Sequence, residues 1–230
     1  MYATNRAAMQ YYESCLAEAD GGKGMKYFRD RGISDEMIQT FHLGYCPVQS
    51  DVISAVKEQV KTMKYLFRKG EDVTFKSGKA LHVDNGVGIV YKEKARFLDV
   101  YSERVMFPWL DAKGRVVGFA GRCLAAATKG IDRKYVNSPE SMIFHKSEEL
   151  YGLYQAIPAI REKDCVYVVE GYLDVISLYG IGIKNVVANS GTWLSSAQVQ
   201  LLLKYTKNVV MTYDADNAGV KAIKKAQAEK

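Results

Sequence analysis

Cys165-Val166-Tyr167-Val168-Val169-Glu170-Gly171, residues 165–171, is the stretch that decides the fold. It is a short, β-branched apolar run that stops at an acid and a glycine, the pattern of a buried strand at its carboxyl end. Downstream, the pattern predicts a helix to Tyr179, a strand over Asn185 to Ala188, a helix from Ser195 to Tyr205 and a strand over Asn208 to Tyr213. A last helix bears Gly219 and Lys221. Strand and helix alternating in this way argue for a parallel sheet with helices on its faces, whose working residues gather at the carboxyl ends of the strands. Glu170 and Asp214 stand at those ends.

Upstream the texture differs. Apolar spacing predicts a helix over Arg6 to Ala19, a stop at Asp20-Gly21-Gly22 and a second helix over Lys23 to Asp30. Ser34 is placed to cap a short helix reaching about Phe41, with Asp35 and Glu36 in its first turn. A further helix is expected over Val52 to Met63, followed by loops and short strands from Lys69 to Val100. Val105 to Leu110, the turn Asp111-Ala112-Lys113-Gly114 and Arg115 to Ala120 form a β-hairpin signature. Pro158 marks a junction, with a second domain beginning near it.

Size and charge bound the function. With 230 residues, 48% hydrophobic and 25% charged, the chain can bury one large core or two small ones. Its apolar runs fall far short of the roughly 20 residues of a membrane span, and Met-Tyr-Ala-Thr-Asn-Arg is no secretory leader, so a cytoplasmic address is expected. Cys15, Cys46, Cys123 and Cys165 never pair as Cys-x-x-Cys, so they read as reduced, partly buried thiols. The net charge of +6 is local. Between Arg104 and Lys146, eight Lys and Arg stand against three Asp and Glu, which fits a polyanionic partner on that segment.

Asp214-Ala215-Asp216 follows an apolar strand directly. In extended backbone, residues two apart project to one side, so two carboxylates share a small space. Their repulsion is relieved by a hard divalent cation such as Mg²⁺, with Glu170 supplying a third oxygen. Spacing alone leaves a second reading open, in which the two aspartates cap the last helix and Glu170 is solvated.

Val168-Val169-Glu170-Gly171-Tyr172-Leu173-Asp174, then Ser190-Gly191-Thr192, then Tyr213-Asp214-Ala215-Asp216-Asn217-Ala218-Gly219 together resemble a Toprim domain in order and spacing. Glu103-Arg104-Val105-Met106-Phe107-Pro108, Gly114 to Arg122 and Lys134-Tyr135-Val136-Asn137-Ser138-Pro139-Glu140 resemble the RNA-polymerase core of bacterial, DnaG-type DNA primases, as do Phe144-His145-Lys146, Arg31-Gly32-Ile33-Ser34 and Leu43-Gly44-Tyr45. The resemblance implies an α+β amino-terminal subdomain over 1–158, then an α/β Toprim subdomain with a Rossmann-like parallel sheet over 159–230.

It also implies synthesis of short RNA primers on single-stranded DNA from ribonucleoside triphosphates. Mg²⁺ or Mn²⁺ would be held by Glu170, Asp214 and Asp216, with Asp174 orienting that cluster. Arg104, Arg122, Lys134, Asn137 and Lys146 match the positions that hold template and nucleotides. His145 reads as structural, and Tyr172 and Trp193 read first as packing residues, with base stacking the other option. Family members carry zinc in a separate domain and meet the replicative helicase through another; neither is visible here, so the chain is expected to be a fragment with its Toprim part cut short. Asn189-Ser190 replaces the commoner Ser-Leu before Gly191, and Trp193 replaces a smaller residue. The competing readings are another Toprim enzyme, a topoisomerase or nuclease, and a module that binds single strands without synthesis.

Overall fold

The computed structural model describes residues 1–18, 22–75, 77–94, 96–124, 133–191 and 193–213. Along the chain run α1 (Tyr2–Ala17), α2 (Gly22–Arg29), α3 (Asp35–Thr40), β1 (Gly44–Cys46) and α4 (Val52–Val60). Six strands follow: β2 (Asp72–Thr74), β3 (Ala80–His82), β4 (Val90–Glu93), β5 (Arg96–Asp99), β6 (Arg104–Leu110) and β7 (Val116–Cys123). The remainder is β8 (Tyr135–Asn137), α5 (Leu153–Lys163), β9 (Val166–Val169), α6 (Tyr172–Gly180), β10 (Val186–Ala188), α7 (Ser196–Leu202) and β11 (Val209–Met211). No described helix is long and apolar enough to cross a membrane.

These elements divide into two compact units. The first holds the described residues of Met1–Gly32, His42–Trp109 and Arg115–Phe144; the second holds Ile33–Phe41, Leu110–Gly114 and the described residues from His145 on. The chain thus enters the second unit three times.

In the first unit the sheet order is β1-β6-β7-β8, with β1 antiparallel to β6 and β7 antiparallel to β8. Every residue of β6 is buried, and it tolerates Pro108 because that residue lies beyond the part paired with β1, which ends at Met106. Aromatic rings fill the core edge to face: Tyr12 against Phe119 at 5.7 Å, Phe28 against Phe107 at 5.9 Å and Trp109 against Phe144 at 5.5 Å. α1 lies close on β1, where a Cβ at Gly44 would stand 2.7 Å from Tyr12 Cβ. The helix begins at Tyr2, four residues before the start that the apolar spacing predicts. Polar Thr4 and Asn5 face inward, hiding the pattern, and Asn5 Nδ2 donates to the Val116 carbonyl at 3.2 Å. α4 stops three residues earlier than expected, because Lys61 turns left-handed at φ 54°. The expected loops and short strands of 69–100 are two small hairpins, β2-β3 and β4-β5.

In the second unit the order is β10-β9-β11, all parallel, with β9 in the centre. Val166 and Val168 share one face of β9 and pack with Leu150, Leu153, Ile160, Val187 and Leu202. Tyr151 bridges the outer edge of β10 through its own N–H and carbonyl to Ala188. α3 belongs here: Ser34 Oγ accepts from the Met37 N–H as expected, Phe41 stacks on Tyr151 at 6.1 Å, and Gln155 Nε2 donates to the Thr40 carbonyl. Pro158 lies inside α5 and does not end it; having no N–H, it leaves Tyr154 without a helical donor while the helix runs on to Lys163. The last predicted helix lies outside the described residues.

The first unit also encloses an acid. Asp99 accepts from Tyr12 Oη and Ser50 Oγ, each at 2.8 Å, and from the Tyr101 N–H at 2.7 Å. Burial outweighs these bonds and raises the carboxyl above its ordinary 3.8. A raised acid favours the protonated folded state, so the stability it contributes is complete below 3.8 and declines as pH rises through the shifted value. Asp99→Asn keeps the shape and cannot ionise; it is expected to flatten the fall in urea midpoint as pH is raised from about 4. Coincident pH profiles for the two proteins would assign that fall to other groups.

Candidate metal and nucleic-acid site

Both faces of β9 are covered and both its edges paired, so the first place at which a charge can reach water without breaking the sheet is the residue after the strand. That residue is Glu170, half-buried. Val169 pairs with Ala188 of β10, so Asn189 is the next residue on one side; Val168 pairs with Met211 of β11, and Tyr213 follows two residues later on the other. Burial, with the Glu170 carboxylate adding to it, pushes the Tyr213 hydroxyl up to about 12. Asp174 sits in the first turn of α6, where its Oδ2 accepts from the Gly171 N–H at 3.0 Å. It thereby fixes the backbone immediately after Glu170. Asp214 and Asp216 lie outside the described residues, and the described residues alone contain no group of three potential metal-ligating side chains.

The donors beside Glu170 suit a hard cation. Asn189 Oδ1, Ser190 Oγ and Tyr213 Oη are buried and have no hydrogen-bond partner among the described residues. These residues follow the carboxyl ends of the strands flanking β9, as Glu170 follows β9, and the amide oxygen of Asn189 with the Glu170 carboxylate is of the oxygen chemistry that Mg²⁺ and Mn²⁺ accept. Tyr172 is a packing residue, 7% exposed and set edge-on to Tyr151 at 4.9 Å.

Gln198, which the sequence reading passed over, fastens this end together. Its Nε2 donates to the carbonyls of Glu149 at 2.7 Å, Lys146 at 3.3 Å and Asn189 at 3.4 Å, while its Oε1 accepts from the Ser195 N–H at 3.0 Å. Ser195 Oγ accepts from the Gln198 N–H and donates to the Ser147 carbonyl. The Ser-x-x-Gln spacing of a capping box was the available signal. Lys146, half-buried, is thus held to the loop that follows β10.

The remaining predicted residues lie in the first unit, on β6, β7, β8 and the residue before β8. Arg122 is paired opposite Tyr135 and Ala120 opposite Asn137. Arg122 Nη1 donates to Tyr135 Oη at 3.3 Å, and its guanidinium lies 5.1 Å from the Tyr27 ring centre and 5.5 Å from that of Tyr135. Lys134 is exposed just before β8, and its carbonyl accepts from the Cys123 N–H at 3.0 Å. Arg104 is different in kind. It is 5% exposed, and its Nη1 reaches the carbonyls of Gly121, Arg133 and Lys134 at 3.3, 3.1 and 3.4 Å, so it supports the segment carrying Lys134 from below.

A family model described as DNA primase catalytic core, N-terminal domain, matches residues 11–157, and a Toprim-like model matches residues 167–230. A DNA primase of Legionella pneumophila is 37% identical over 222 residues, covering 96% of this chain and 34% of that protein. The Escherichia coli primase catalytic core is similar in structure, with a TM-score of 0.80 at 34% identity, over 98% of this chain and 66% of that one. A DnaG primase catalytic domain bound to single-stranded DNA gives 0.73 at 34% identity, over the same shares. The chain spans about a third of the length of the curated relatives it matches.

Gln198→Met keeps volume and removes every hydrogen bond that the Gln198 side chain makes, leaving those of Ser195 Oγ. It is expected to cost about 2 kcal/mol or more in urea denaturation, because buried carbonyls lose their donor. A change below about 0.5 kcal/mol would show that the clamp is dispensable.

Proposed function

The chain belongs to the bacterial DnaG-type DNA primase catalytic-core family, and we propose that it carries out primer synthesis, joining ribonucleoside triphosphates into short RNA on a single-stranded DNA template by metal-dependent nucleotidyl transfer. The observation that carries this reading is Glu170 at the carboxyl end of the central parallel strand, with Asn189 and Tyr213 following the strands on either side, in a chain of this family.

The division of labour follows the two kinds of residue. Over 159–230, the Toprim part, Glu170 with Asp214 and Asp216 holds a divalent ion, Mg²⁺ or Mn²⁺. That ion, when bound, supplies activation of the attacking 3′-hydroxyl and neutralisation of the leaving pyrophosphate. Asp174 acts as a positioning residue, since its bond to the Gly171 N–H sets the direction in which Glu170 leaves the strand. Over 1–158, the basic part, Arg122, Lys134 and Asn137 take phosphates of template or nucleotide, with Lys146 beside them in role. Arg104 serves by holding Lys134 in place. Positive side chains along a strand that carries one negative charge per nucleotide give affinity without sequence preference. The similar domain bound to single-stranded DNA supports the template assignment. RNA primer, the replicative helicase and a zinc-bearing domain are the further partners that the family brings, in the cytoplasm.

Two measurements test this. Primer synthesis on a single-stranded template with ribonucleotides and Mg²⁺ or Mn²⁺ is expected to be lost in Glu170→Gln and Asp214→Asn, with strand binding kept; synthesis that survives either substitution would remove the carboxylates from the chemistry. Joint replacement of Arg122 and Lys134 by alanine is expected to shallow the salt dependence of single-strand binding by roughly 1.4 in log–log slope, about 0.7 per phosphate contact. An unchanged slope would take both residues off the binding track.

A further inference from the structure

The chain has two tryptophans, and they are placed in opposite ways. Trp109 is fully buried in the first unit, whereas Trp193 leaves 47% of its surface exposed. A large aromatic face in water forgoes the burial that makes indole valuable to a core, so its exposure asks what covers it in use.

The loop that carries it is held firmly. Asn189 Nδ2 donates to the Gly191 carbonyl at 3.4 Å, Gln198 Nε2 to the Asn189 carbonyl, and Ser195 closes a reciprocal cap with Gln198, so the chain is tied down on both sides of Trp193. Within the loop Ser190 adopts φ 50°, a left-handed conformation that a residue with a side chain takes only where its surroundings impose it. The backbone on either side of Trp193 is thus held, with part of the ring left to solvent.

Its place is equally specific. The loop leaves the carboxyl end of β10, the same end of the parallel sheet at which β9 delivers Glu170. The Gln198 amide that grips the loop also grips the Lys146 carbonyl, so one side chain fastens an aromatic and a cationic segment side by side. An exposed aromatic ring and a lysine on two segments tied to one another suit an unpaired base followed by its phosphate. A duplex, whose bases are stacked and covered, does not offer that pairing.

We propose that Trp193 is a stacking platform for a nucleobase of the single strand engaged at this sheet end, with Lys146 taking the adjoining phosphate. This deepens the primer-synthesis reading and rests on it. Stacking is indifferent to base identity, so Trp193 adds affinity for any unpaired strand and holds it in register without selecting sequence.

The test compares a short oligothymidylate with an abasic oligomer of equal length and charge, following tryptophan emission and the anisotropy of a labelled end. The base-bearing strand is expected to quench emission and to bind roughly 10-fold more tightly than the abasic one. Trp193→Ala should erase that preference and leave abasic binding unchanged, while Trp193→Tyr, which keeps a ring, should retain most of it and guards against misfolding of the alanine variant. Buried Trp109 supplies a constant background. If anisotropy reports binding while emission and preference are the same with and without Trp193, or if Trp193→Ala weakens both oligomers equally, the platform is wrong and the primer-synthesis reading stands. If the unaltered chain binds neither oligomer, both readings fall together.

Discussion

A strand in the middle of a parallel sheet has neighbours on both edges and cover on both faces, and that constraint organises the second unit. β9 can hold only apolar side chains along its length, so Val166 and Val168 turn into the core. A charge is possible only where the strand runs out. Glu170 stands there, and the shared direction of β10 and β11 sets Asn189 and Tyr213 alongside. The position of the carboxylate is therefore a consequence of the core, and the local chemistry follows from it. Tyr213, next to a carboxylate and half-buried, keeps its proton. Asp174, one helical turn on, is occupied with the Gly171 amide.

Buried polar groups define the remaining architecture more than exposed charges do. Three side chains, Asp99, Gln198 and Arg104, each gather donors or acceptors from segments far apart in the chain. Each joins pieces that hydrophobic packing alone would leave free to slide, since a satisfied buried network admits one arrangement. The exposed ion pairs, such as Lys26 with Asp30 at 2.9 Å, are of the kind that contributes little. Among the basic residues this separates Arg104, which is spent on carbonyls, from Lys134, which faces solvent.

The alternation of strand and helix after Cys165 was legible because the runs of β-branched residues are uninterrupted, and the Ser34 cap because its chemistry is local. The start of α1 was not, since Thr4 and Asn5 are polar residues that nonetheless face the core, and the partner of Asn5 lies over a hundred residues away. Pro158 misled for a related reason: a proline inside a helix is tolerated when packing holds the helix, and Ala156, Ala159 and Ile160 supply that packing. At the site, Glu170 could be read from where its strand ends, and the basic residues from their clustering. The burial of Arg104 and the reach of Gln198 could not, because both depend on carbonyls, which every residue has and no sequence pattern marks.

The bond from Asn5 to the Val116 carbonyl spans 111 positions, and that from Gln155 to the Thr40 carbonyl spans 115. During synthesis, then, the first helix can meet β1 early but must wait for more than a hundred further residues before β7, the other strand it packs on, exists. The Ile33–Phe41 segment waits as long for the tyrosines on which Phe41 packs. The two units are interleaved in time as well as in sequence, and neither can close as soon as its own first residues emerge. Part of each apolar face therefore stays bare until residues 116 to 179 have been made, and steady decoding through that stretch shortens the interval.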